Sequence, residues 1–157
     1  MEPEDDSINK ITEKIYLGDI EGSKNYKFLK ENRINYVLSL AGDKSIEYDE
    51  KLKIKQKIID VDDFFCVNIF KFFKECIEFI ENADKVFVHC SAGVSRSATI
   101  VIAYFMYKEK KSYYEAYFFV KNKRKFISPN GGFVEQLLNF EKLLKENEYD
   151  LNKIKFK

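Results

Sequence analysis

The spacing of apolar residues changes several times along this chain, and each change marks a different element. Ile15-Tyr16-Leu17 before Gly18 is a short apolar run that predicts a first strand. Residues 24–33 follow helical spacing, with Phe28 and Leu29 on the inner face. Residues 34–40 alternate like a strand and stop at Ala41-Gly42, and residues 54–61 form another β-rich stretch that runs into the acidic group Asp60, Asp62 and Asp63. From 68 to 82, Ile69, Phe72, Phe73, Cys76, Ile77 and Ile80 recur at helical intervals. Val86-Phe87-Val88-His89 is a compact apolar strand, and residues 97–108 are apolar nearly all round, which predicts a central buried helix. Ser112-Tyr113-Tyr114-Glu115 has the form of a capping box and starts a helix to about Lys123. Ser128-Pro129-Asn130-Gly131-Gly132 reads as a turn, and residues 133–147 as the last amphipathic helix. Strand–helix alternation of this kind points to an α/β domain with a central sheet.

Composition sets the outer limits. The chain has 157 residues, enough for one compact domain and short for two. Residues 1–9 read as a disordered acidic lead-in, 10–147 as the domain, and 148–157 as a tail whose lysine-rich end frays. Lys+Arg 27 against Asp+Glu 26 leaves a formal charge of +1, so nucleic acid is not an expected partner. No apolar run approaches bilayer length, the acidic start lacks the features of a signal peptide, and Glu2 excludes N-myristoylation. No membrane attachment is expected. Three cysteines without CxxC spacing suit a reducing compartment, cytoplasmic or nuclear, rather than a disulfide framework. With a single histidine, His89, those cysteines make no familiar zinc site, and the acidic group lacks calcium-loop spacing.

The chemistry concentrates between Val86 and Ser97, which run strand, tight loop, buried helix. A loop feeding a helix N-terminus gathers unpaired backbone N–H groups and the positive end of the helix dipole, a setting for a phosphate-type anion. Gly93 can supply a positive φ that closes the loop round a small ligand. Cys90 stands at the strand's end, where the same field favours the nucleophilic thiolate. Arg96 carries a planar fork that can hold two phosphate oxygens, so the loop Ser91, Ala92, Gly93, Val94, Ser95, Arg96 is the candidate phosphate-binding loop. A Cys–His hydrolase is excluded: His89 and Cys90 are successive strand residues on opposite faces, and no second histidine exists.

His89-Cys90, five residues and Arg96 resemble the HC-x5-R signature of the protein tyrosine phosphatase superfamily, and Ala92-Gly93-Val94-Ser95-Arg96-Ser97 resembles its dual-specificity branch. Tyr16-Leu17-Gly18, Ile102-Ala103-Tyr104, Arg124, Ser128-Pro129-Asn130 and Gln136-Leu137-Leu138 also resemble that family, over roughly residues 10–145. The resemblance implies the cysteine phosphatase (dual-specificity) fold, a central, mostly parallel twisted sheet flanked by helices. It implies hydrolysis of phosphotyrosine and phosphoserine/threonine in phosphoproteins through a phosphocysteine, without metal or organic cofactor. It assigns Cys90 as nucleophile, Arg96 to phosphate and transition-state binding, Ser97 to breakdown of the intermediate and His89 to tuning of the thiolate. The family's acid precedes an Asn-aliphatic pair by five residues, which is the relation of Asp63 to Asn68-Ile69; Asp62 and Asp60 are the rivals.

Other readings remain open at this stage. The same fold can serve a phosphatase for phosphoinositides, RNA 5′ ends or glycogen, although the loop carries no extra lysine. A phosphate-binding pseudophosphatase scaffold is a third reading, opposed by intact Cys90, Arg96 and Asp63. Cys76 reads as a core residue, and Cys66, near the acidic group, as a loop residue that could pair with Cys90 under oxidation. The basic run Lys121, Lys123, Arg124, Lys125 reads as a solvated helix end or a surface for acidic phosphopeptides.

Overall fold

The computed structural model describes residues 5–157; the first four residues of the expected lead-in, Glu2 among them, lie outside the described residues. Five strands form one sheet: β1 (Ile8–Lys10), β2 (Ile15–Gly18), β3 (Tyr36–Ser39), β4 (Lys55–Ile58) and β5 (Val86–His89). The spatial order is β1-β2-β5-β3-β4, with every pairing parallel except β1 against β2. The central strand, β5, is the last in sequence and the one that leads to Cys90.

The period-2 pattern sorts side chains to two cores. Tyr16, Val37 and Phe87 meet Leu29 and Ile34 on one face, beneath α1 (Ile20–Ser23) and α2 (Tyr26–Glu31). Ile15, Leu17, Leu38, Val86 and Val88 join the larger core on the other. That face carries α3 (Phe73–Asn82), α4 (Arg96–Lys108), α5 (Tyr113–Lys123) and α6 (Gly131–Glu146). Ten of the residues of α4, Ser97 through Met106 in succession, are buried, as its all-round apolar pattern predicts. Ser112 and Glu115 close the expected capping box on α5.

Three expectations need correction. Ile8 and Asn9, read as disordered, pair with β2. The anchor is Arg124, which donates to Asp6 O and to Asn9 Oδ1 and ties the lead-in to the domain. The tail is also packed. After α6, Glu148 and Tyr149 take left-handed conformations (φ 54° and 59°) that reverse the chain. Leu151 and Ile154 are then buried, and the Phe156 ring packs 5.0 Å from that of Phe70. The lysines between those apolar residues point outward and mask the pattern in composition. The helix expected from Asn68 begins later: a 3-10 turn (Phe70–Phe72) precedes α3.

Candidate active site

β5 lies between β2 and β3, so Cys90 emerges at the carboxyl edge of the sheet near its middle, where α/β sheets place ligands. Cys90 is 2% exposed. Its Sγ lies 3.1 Å from Ser97 Oγ and accepts from the Gly93 N–H at 3.3 Å. Cysteine, serine and loop backbone are thus already in contact.

The loop owes its shape to where its carbonyls go. Ser91 O accepts from Ile20 N, and Val94 O from Ser128 N. Gly93 O accepts from Arg124 Nε at 2.8 Å, and Ala92 O from an Arg124 terminal amine at 3.5 Å. Four successive carbonyls are therefore turned outward. In a trans peptide the following N–H points the opposite way, so the N–H groups of residues 92–95 line the inside of the loop. The Gly93 N–H confirms the direction, since it meets the sulfur. The result is a concave nest of donors in front of α4. Gly93 is required here: its φ is +67°, and a Cβ would stand 2.5 Å from Arg124 and 2.6 Å from Gly18 O.

Arg124 supports the loop from behind. It is 1% exposed, not part of a solvated helix end, and burial lowers its affinity for its proton. Its donors go to oxygens of the loop and the lead-in. Nothing in the run Lys121–Lys125 marks it as the buried member; only the family resemblance singled it out.

Arg96, the first residue of α4, donates from one terminal nitrogen to Leu40 O at 3.1 Å and Val61 O at 2.9 Å. Its Nε is buried and, among the described residues, has no partner. A buried donor in that state calls for an acceptor, and an anion seated among the loop N–H groups supplies one. His89 is fully buried, stacked on Phe87, with Nδ1 donating to Cys90 O at 3.1 Å. Burial pushes its pKa down to about 4, so it is neutral near pH 7 and orients the Cys90 peptide rather than touching the sulfur.

The three candidate acids separate. Asp60 lies against the Gly42 turn. Asp62 is exposed, and among the described residues no side-chain hydrogen bond to it is formed. Asp63 is exposed and accepts from Asn130 Nδ2 at 2.8 Å, and the Asn130 backbone N–H in turn donates to Ser95 Oγ in the phosphate loop at 2.9 Å. Asp63 is thus the carboxylate tied to the loop. Cys76 is buried in α3, and Cys66 is exposed between Asp63 and Asn68 and in no disulfide.

The fold and loop have relatives. The model of the dual specificity phosphatase catalytic domain matches residues 15–143. MAP kinase phosphatase with leucine-rich repeats protein 1 of Dictyostelium discoideum is 41% identical over 135 residues, 84% of this chain and 16% of that protein. Human dual specificity protein phosphatase 9 is 38% identical over 143 residues, 88% of this chain and 37% of that protein. This chain therefore spans well under half the length of those relatives. The crystal structure of DUSP15 aligns with a TM-score of 0.82 at 30% identity, over 97% of this chain and 99% of that one. With that match across most of its length and a cysteine–arginine loop at the sheet's carboxyl edge, this chain belongs to the dual specificity phosphatase catalytic-domain family.

Proposed function

We propose that this protein is a cysteine-dependent phosphatase that hydrolyses phosphotyrosine and phosphoserine/threonine in phosphoproteins. One observation carries the reading: the Cys90 sulfur stands at the floor of a loop whose carbonyls all turn outward, beside Ser97 and an Arg96 fork with a free buried Nε.

The chemistry runs in two displacements. The phosphate oxygens take up the loop N–H groups and the open side of Arg96. Cys90, as thiolate, attacks phosphorus; the S–P bond forms as the ester P–O bond breaks and its electron pair leaves with the substrate oxygen. Protonated Asp63 gives that oxygen its proton. Water then attacks the phosphocysteine, Asp63 accepts the water proton, and the S–P pair returns to sulfur while the Ser97 hydroxyl, 3.1 Å away, donates to it. Neutral His89 holds the Cys90 carbonyl throughout. Every step is completed by side chains and water, without a cofactor.

A reducing compartment, cytoplasm or nucleus, agrees with three unpaired cysteines. Among the described residues no helix is long and apolar enough to cross a membrane. The test is hydrolysis of para-nitrophenyl phosphate by wild type and Cys90→Ser. Turnover in the wild type, blocked by vanadate and absent in Cys90→Ser, is expected; near-normal turnover in Cys90→Ser would end this reading.

A further inference from the structure

Asn130 bonds to three different residues through three different atoms. Its backbone N–H donates to Ser95 Oγ of the phosphate loop, its Oδ1 accepts from Phe133 N as the cap of α6, and its Nδ2 donates to Asp63 Oδ1. The rest of the acid loop follows the same helix. A Cβ on Gly132 would stand 1.8 Å from Phe65 O, so that loop lies directly on the helix backbone. One turn further, Gln136 accepts from Ile69 N and Phe70 N through Oε1 and donates to Val67 O through Nε2. The first turns of α6 therefore grip the acid loop at its start, middle and end, and the same turn holds the phosphate loop.

We propose that Asn130 is the positioning residue for the general acid: it sets the Asp63 carboxyl relative to the phosphate loop and decides which oxygen carries the proton. The proposal rests on Asp63 being that acid. An oxygen that accepts the Nδ2–H cannot also hold a hydrogen facing it, so in the protonated acid the hydrogen sits on Oδ2. The same bond persists in the carboxylate, so Asp63 keeps its orientation between donating to the leaving group and receiving from water. An amide suits this task better than Lys or Arg. A cation at that distance would favour the ionised carboxylate and withdraw the acid, whereas an amide orients it without adding charge.

Capping and positioning use different atoms of Asn130, so they can be separated. Asp and Ser are both good N-caps, and neither offers the Nδ2 donor. Asn130→Asp and Asn130→Ser are measured on para-nitrophenyl phosphate, whose leaving group departs readily without a proton, and on phenyl phosphate, whose leaving group needs one. The expected loss in kcat is roughly 10- to 100-fold on phenyl phosphate and under about threefold on para-nitrophenyl phosphate, part of what a positioned acid supplies. KM, vanadate affinity and Tm should stay close to wild type. On an Asp63→Ala background, Asn130→Ser should cause no further loss.

An equal loss on both substrates, no loss on either, or a loss that persists without Asp63 overturns the positioning role. If Asn130→Asp alone lowers Tm, Asn130→Ser decides by the same criteria. If Asp63→Ala by itself turns over phenyl phosphate like wild type, the acid is another carboxylate, and it is the assignment of Asp63 that fails.

Discussion

The phosphate loop and the acid loop meet at Asn130 but are built in opposite ways. Residues 90–97 are continuous in sequence, with Cys90, Gly93, Ser95 and Ser97 buried, and are fixed by a buried cation behind them. Residues 62–66 are exposed, and one helix brought alongside meets them at Asp63 and Phe65. Anion binding needs a rigid set of dipoles that cannot relax away from charge, which favours burial and satisfied carbonyls. An acid must exchange protons with leaving group and water, which favours exposure with orientation supplied from outside. Damage should therefore separate as well. Lesions behind the phosphate loop should reduce anion affinity and stability together, while lesions around the acid loop should reduce turnover alone.

The largest expected effect tests the acid side. Asp63→Ala should lose about 10²- to 10⁴-fold in kcat on phenyl phosphate, with Tm and vanadate affinity unchanged. A matching fall in Tm would break the distinction. Arg124→Met tests the other side. It leaves the carbonyls of Gly93 and Ala92 without donors and releases Asp6 and Asn9. A destabilisation of about 3 kcal/mol is expected by denaturant titration, together with weaker vanadate binding.

His89 gives the phosphate-loop side of the molecule a pH signature of its own. Folded His89 stays neutral down to about 4, while the unfolded chain takes up its proton near 6.5. Between those values the unfolded state binds more protons. Stability should be complete above 6.5 and fall as pH drops toward 4, by at most about 3 kcal/mol. His89→Asn should flatten that part of the curve; an unchanged slope would contradict the cause given. The smallest effect belongs to Gly132→Ala. Its Cβ would collide with Phe65 O and push the acid loop off α6, for a loss of about tenfold on phenyl phosphate with little change in vanadate affinity.

The same contrast explains what could be read from sequence. The strand, loop and helix that join Cys90, Arg96 and Ser97 were legible because they are contiguous and local order fixes their relation, whereas the role given to Ser97 came only from the family resemblance. The boundaries of β5 and the capping box of α5 were legible for the same reason. Arg124 was not, because four neighbouring basic residues look alike until the lead-in and the phosphate loop close on one of them. Asn130 showed itself only as part of a turn and of the family resemblance; its cap on α6 and its bond to Asp63, 67 positions away, come from the fold. The packed tail was hidden by lysines set between Leu151, Ile154 and Phe156, and the edge strand β1 by its short length and acidic approach.

The most direct test of the central claim is the covalent intermediate itself. Wild-type protein mixed with para-nitrophenyl phosphate and quenched in acid within one turnover should carry a single phosphoryl group, located by mass spectrometry of peptides on Cys90. The Asp63→Ala variant, with its base removed, should retain that group for longer. Phosphate on a different residue, or turnover with no phosphorylated peptide in either protein, would contradict the account.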